Sequence, residues 1–217
     1  MTSNSHAWLG LNRASNFANL FLNSKVDRNR VWARCDDGRV FTYGEFWDLA
    51  GRMANQLEAV GAKRGDRIAV QVDKSVEALA LFWACVRGGF VFLPLNTAYT
   101  FAEVSYFLRD AEASVFVVSS AKYNEALGFA TAAGCKSVLT LDDAGGGTLL
   151  HNANVAFHDV ESNWDDIAAI LYTSGTTGRS KGAMLSHANL ASNALALIEL
   201  WRFTRDDVLL HALPVYH

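Results

Sequence analysis

Long hydrophobic runs are missing from this sequence. The longest uninterrupted apolar stretch, Ala78 to Val86, is far too short to cross a bilayer, so no membrane span is expected. Blocks of Lys or Arg are missing too. The 19 basic and 22 acidic side chains leave a formal net charge of -3. That balance gives no electrostatic footprint for nucleic acid and no pull toward an anionic membrane. Cysteine is scarce: Cys35, Cys85 and Cys135 lie far apart, form no zinc or redox spacing, and read as reduced, partly buried thiols. The first residues lack the basic start, apolar core and small-residue cleavage site of a secretory signal. They also lack an acid before Asp27 while carrying Ser, Asn and Arg. A cytoplasmic location is expected, with a mitochondrial transit reading left open.

What is present suits a folded chain. Hydrophobic residues make up 51% and charged residues 19% of 217 residues, enough to fill the core of one or two domains. Asn16 to Leu22 could form a short docked helix. Asp36-Asp37-Gly38 separates Val31–Arg34 from Arg39–Phe41 and predicts a hairpin. Thr42 and Glu45 have capping-box spacing before the stripe Phe46, Leu49, Ala50, Met53, Ala54 and Leu57. Gly61 can end that helix. An alternation then follows: strand 67–72, helix 75–87, strand 90–93, a second capping box at Thr100 and Glu103 opening a helix, strand 114–118, helix 122–133 and strand 138–141. Strands alternating with helices predict an α/β fold with a parallel-rich sheet covered by helices. The segment 142–166 shows no firm period. A seam is placed there, dividing a first α/β subdomain (1–147) from the start of a second (148–217). Strands are expected at Ile167–Tyr172, Gly182–Leu185 and Val208–Ala212. Ser186 is expected to cap a helix over His187–Trp201.

The most informative stretch follows the strand ending at Tyr172. Thr173, Ser174, Gly175, Thr176, Thr177, Gly178, Arg179, Ser180, Lys181 and Gly182 bring hydroxyls, glycines and a lysine together. Glycines let the backbone approach a ligand. Bare N–H groups and hydroxyls then donate to phosphate oxygens, and Lys181 adds a compact positive charge. A Walker loop would need Gly-Lys-Ser/Thr here; Ser180 and Gly182 flank Lys181 instead, and the dinucleotide Gly spacing also fails. A solvated flexible turn is the competing reading.

The run LYTSGTTGRSKGAMLSHANL resembles the signature loop of the adenylate-forming superfamily, with Ser180 where many members carry Pro. Phe41 to Phe46, Arg87 to Leu95 and Leu213 to His217 resemble three further motifs of that family. Within it, LPLNTAYT, the loop itself and WRFT are most similar to malonyl-CoA synthetases. The resemblance implies a two-step ligase using ATP, Mg²⁺ and CoA on a small carboxylic acid, malonate on this wording. It implies that Thr173 to Lys181 hold the triphosphate, with Lys181 and Thr176 catalytic and Thr176 helping to place Mg²⁺. It implies that His217 lines the acyl pocket. Further family motifs, including a Tyr-Gly-x-Thr-Glu segment and a catalytic Lys, are expected after His217. The chain therefore reads as an amino-terminal portion, cut in an apolar run and inactive alone. Two other readings stand beside this one: a non-enzymatic remnant that binds nucleotide weakly, and another kind of adenylate former. Among the remaining candidates, His187 is expected to be structural, His211 to be core or pocket wall, and His151 and His158 to match no metal motif.

Overall fold

The computed structural model describes residues 17–18, 26–173 and 180–214. Val31–Arg34 (β1) and Val40–Thr42 (β2) form the expected antiparallel hairpin. Its turn relies on Gly38 at φ +87°, a conformation glycine adopts at no steric cost. Tyr43–Ala59 (α1) opens with the expected box: the Thr42 hydroxyl accepts from the Glu45 N–H, and the Glu45 carboxylate accepts from the Thr42 N–H at 2.8 Å. Its stripe of Phe46, Ala50, Met53, Ala54 and Leu57 is fully buried.

The alternating pattern becomes Arg67–Gln71 (β3), Val76–Gly88 (α2), Val91–Pro94 (β4), Phe101–Asp110 (α3), Ala113–Val118 (β5), Tyr123–Ala132 (α4) and Ser137–Thr140 (β6). Ser75 caps α2 through the Ala78 N–H, and Gly89 ends it in the left-handed region. Ile167–Thr173 (β7), Lys181–Ser186 (β8) and His187–Trp201 (α5) follow. Among the described residues, six strands form one sheet in the order β6-β5-β3-β4-β7-β8. Its pairings are parallel except β7 with β8. That exception is physical: β7 ends at Thr173 and β8 starts at Lys181, too short a connection for the crossover of about a dozen residues that a parallel return needs.

Period-two alternation along the strands sorts the core into two layers. Ile68, Val70, Val115 and Val117 face α1 and α2, whereas Ala69, Phe116 and Val118 face α3 and α4. The aromatic residues Phe82, Trp83, Phe90 and Phe92 belong to the α1/α2 side, as core and not as a ligand cage. Phe17 and Ala18 are helical; Phe17 stacks on Trp83 at 5.3 Å. The rest of the expected helix at Asn16 to Leu22 lies outside the described residues.

The aperiodic stretch contains an extended strap, residues 151–163, without regular structure. Side chains of α1 and α2 satisfy its backbone. Arg52 Nε donates to Asn152 O at 2.7 Å, and Asn55 Nδ2 donates to Asn154 O and Ala156 O, both at 2.9 Å. Buried Arg87 donates to Trp47 O, Phe157 O and, at 2.6 Å, the Asp159 carboxylate. Gly51 is required beneath the strap, because a Cβ there would sit 2.3 Å from Val155 O.

One expectation is corrected. Val208–Ala212 is not a strand: it has no ladder partner among the described residues, and Val208 is 96% exposed. A strand needs a neighbouring edge, and this segment is instead held by Lys74 Nζ, which donates to His211 O and Ala212 O. His211 is accordingly exposed and is neither core nor pocket wall.

Candidate functional site

The Gly/Ser/Thr loop joins β7 to β8. Thr173 and Lys181 are register partners at the base of this hairpin, and both are exposed. Thr173 is the last residue of β7, a strand parallel to β4. The loop therefore leaves the sheet at the carboxyl end of a parallel strand, where open α/β sheets bind ligands. The base keeps Lys181 at solvent with no carboxylate partner among the described residues. Ser174, Gly175, Thr176, Thr177, Gly178 and Arg179, along with His217, lie outside the described residues.

The base of the hairpin is packed against α3. Gly182 faces Tyr172 in register, and a Cβ at Gly182 would come within 2.8 Å of Ile170 Cγ2. Glycine is thus needed there by close approach. The Tyr172 ring lies 4.5 Å from that of Phe107, which in turn lies 5.0 Å from Tyr99. The Tyr172 hydroxyl donates to the Asp110 carboxylate at 2.5 Å, and the Tyr106 hydroxyl donates to Ser180 O at 3.2 Å. Burial, together with the neighbouring Asp110 carboxylate, raises the pKa of Tyr172, so its hydroxyl remains a donor.

Tyr106 and Asp110 carry no motif signal, whereas Tyr172 stands at the start of the loop run itself. The sequence places Tyr106 on an amphipathic helix and Tyr172 at a strand end, and only the tertiary fold brings that helix to the loop.

The remaining candidates fall outside the site. His187 is 1% exposed; its Nδ1 accepts from the Phe17 N–H at 3.3 Å. Burial pushes its pKa down to about 4, partly opposed by Asp166, so the ring is neutral and structural as expected. His151 and His158 are exposed, and among the described residues no three His, Cys, Asp or Glu side chains gather as metal ligands. Burial raises the thiol pKa of Cys85, and that of Cys135 to about 11, which disfavours the nucleophilic thiolate.

A six-stranded, mostly parallel sheet, with a hydroxyl- and glycine-rich loop and an exposed lysine at one strand's carboxyl end, is the arrangement of an adenylate-forming amino-terminal domain. The chain belongs to the AMP-binding enzyme family, which it matches over residues 22–217. MatB from Rhodopseudomonas palustris, solved with ATP bound, is 50% identical with a TM-score of 0.89, over 95% of this chain and 41% of that one. The mitochondrial malonate–CoA ligase of Mus musculus is 34% identical over 81% of this chain and 31% of its own length. A feruloyl-CoA synthase from Amycolatopsis is 35% identical over 83% of this chain and 35% of its own. The chain thus spans about a third of the length of the curated relatives it matches.

Proposed function

We propose that this chain supplies the triphosphate-binding loop of an acid–thiol ligase that activates malonate with Mg²⁺·ATP and transfers the acyl group to CoA. The observation that carries this reading is the hairpin base, with Thr173 and an exposed Lys181, which has no carboxylate partner among the described residues, opposite each other at the carboxyl end of β7. In the first step a carboxylate oxygen bonds to the α-phosphorus and pyrophosphate leaves, giving an acyl-adenylate. In the second, the CoA sulfur bonds to the acyl carbon, AMP leaves and the thiol proton is released. Lys181 offsets charge that builds on the departing pyrophosphate, and loop N–H and hydroxyl groups share the rest. The described residues form no carboxylate cage for a resident metal. Mg²⁺ would arrive on the triphosphate, keeping several waters, with the Thr176 hydroxyl as its expected protein contact.

Malonate is favoured over other acids by the malonate–CoA ligase relative, at 34% identity, and by the wording of the loop. The feruloyl-CoA relative at 35% identity makes an aromatic acid the comparison substrate. Calorimetry should show ATP binding by the 217-residue chain, and Lys181→Ala should weaken it about tenfold or more, the worth of one lost charge-assisted hydrogen bond. Because the chain spans only 41% of MatB, it should not complete the synthesis alone. Equal ATP affinity in the parent and Lys181→Ala would refute the loop assignment. Malonate-dependent ATP–pyrophosphate exchange by the chain, well above that variant, would refute the expectation of inactivity.

A further inference from the structure

The geometry points to Tyr106 and Asp110 as positioning residues that hold the two legs of the phosphate loop from a single helix. This inference rests on the ATP reading of that loop. The two side chains are separated by one helical turn of α3, so they share a face. Each takes a different leg. Asp110 accepts from the Tyr172 hydroxyl, adjacent to Thr173 on the entering strand, and Tyr106 donates to Ser180 O, adjacent to Lys181 on the leaving strand. The loop's first and last residues are thereby fixed relative to each other by more than their ladder.

Two features argue that this is more than incidental packing. Asp110 is the last residue of α3, where a carboxylate opposes the helix dipole. It gains nothing for the helix there, and its partner is Tyr172. The end of α3 is also a fixed point. Arg67 Nε donates to Ala111 O at 2.6 Å, and Arg67 Nη2 donates to Glu112 O at 2.6 Å. A loop that binds phosphates through bare N–H groups must have its backbone aimed before the ligand arrives, since ordering it on binding lowers affinity.

The test uses Tyr106→Phe, Asp110→Ala and Asp110→Asn in the full chain, with Lys181→Ala alongside. Amide hydrogen exchange of the peptide spanning 171–186, without nucleotide, should speed up about three- to tenfold in Tyr106→Phe and Asp110→Ala, the range expected for one lost hydrogen bond. ATP affinity measured by calorimetry should fall by a similar factor. Asp110→Asn keeps an acceptor for Tyr172 and should restore both readouts. The melting temperature should barely move in Tyr106→Phe, which separates positioning from general stability. Unchanged exchange in both Tyr106→Phe and Asp110→Ala overturns the inference, as does faster exchange with undiminished ATP affinity while Lys181→Ala weakens binding. If Lys181→Ala binds ATP as the parent does, the ATP reading fails instead, and exchange alone decides whether α3 holds the hairpin.

Discussion

Lys181 and Tyr106 show what a sequence can and cannot disclose about single residues. The reading of Lys181 is local: a lysine among glycines and hydroxyls after an apolar strand suits phosphate, and the structure adds its exposed place opposite Thr173. Tyr106 reaches Ser180 across 74 positions of sequence, and no local pattern reports such a contact. His187 lies between these cases. Its place at a helix start was legible, but its burial against Phe17, which gives it a use, was not. That burial makes a prediction. The folded-state pKa is about 4, below the ordinary 6.5. Between those values the unfolded chain binds the extra proton and the folded chain does not, so stability rises with pH across this window. The His187 contribution is complete above about pH 6.5 and is lost as pH falls through 4. His187→Gln should flatten the rise of melting temperature between pH 4 and 6.5, and an unchanged slope would show that other groups set it.

At the scale of elements, helices that start with a box were read closely. Thr42 with Glu45 and Thr100 with Glu103 satisfy orphan N–H groups within four residues of chain, so the signal and the structure coincide. Val208–Ala212 failed for the opposite reason: apolar, β-prone residues make a strand only when another strand offers an edge. The strap at 151–163 showed no period because no helix or sheet of its own supports it. Arg87 is its main fastening, stacked 4.2 Å from the Trp47 ring while bonded to Asp159. Arg87→Met keeps the length and the apolar stem but removes the donor to the Asp159 carboxylate and the Phe157 carbonyl, and the second donor to the helical Trp47 carbonyl. Breaking a buried pair from one side should cost about 3 kcal/mol. Chemical denaturation would detect that loss with no change in slope, and limited proteolysis should then cut within 151–163. A loss under about 1 kcal/mol would mean the strap is held by the α1 contacts of Arg52 and Asn55 instead.

At the scale of the molecule, alternation of strand and helix disclosed a parallel, two-face-covered sheet, but not the order β6-β5-β3-β4-β7-β8 or the reversed last strand. Order depends on which crossovers pack, and that is decided by volumes and not by periods. Helix α5 and the segment after it leave apolar side chains uncovered. Trp201 is 61%, Leu200 74% and Leu210 91% exposed, with Ile198, Leu209 and Leu213 also open to solvent. Isolated exposed apolar residues are ordinary, but this many from α5 and the following segment are more than a stable monomer usually shows. The hydrophobic effect then favours association of the 217-residue chain with itself as concentration rises. Sedimentation velocity over a concentration series should show a rising weight-average coefficient, and dye binding should report accessible apolar surface. Replacing Trp201 and Leu210 by Lys removes two large apolar side chains without touching a buried residue. It should restore a concentration-independent monomer with the same melting temperature. A parent chain that sediments as a monomer throughout would show that these side chains cover one another in solution, and the double variant would then melt lower.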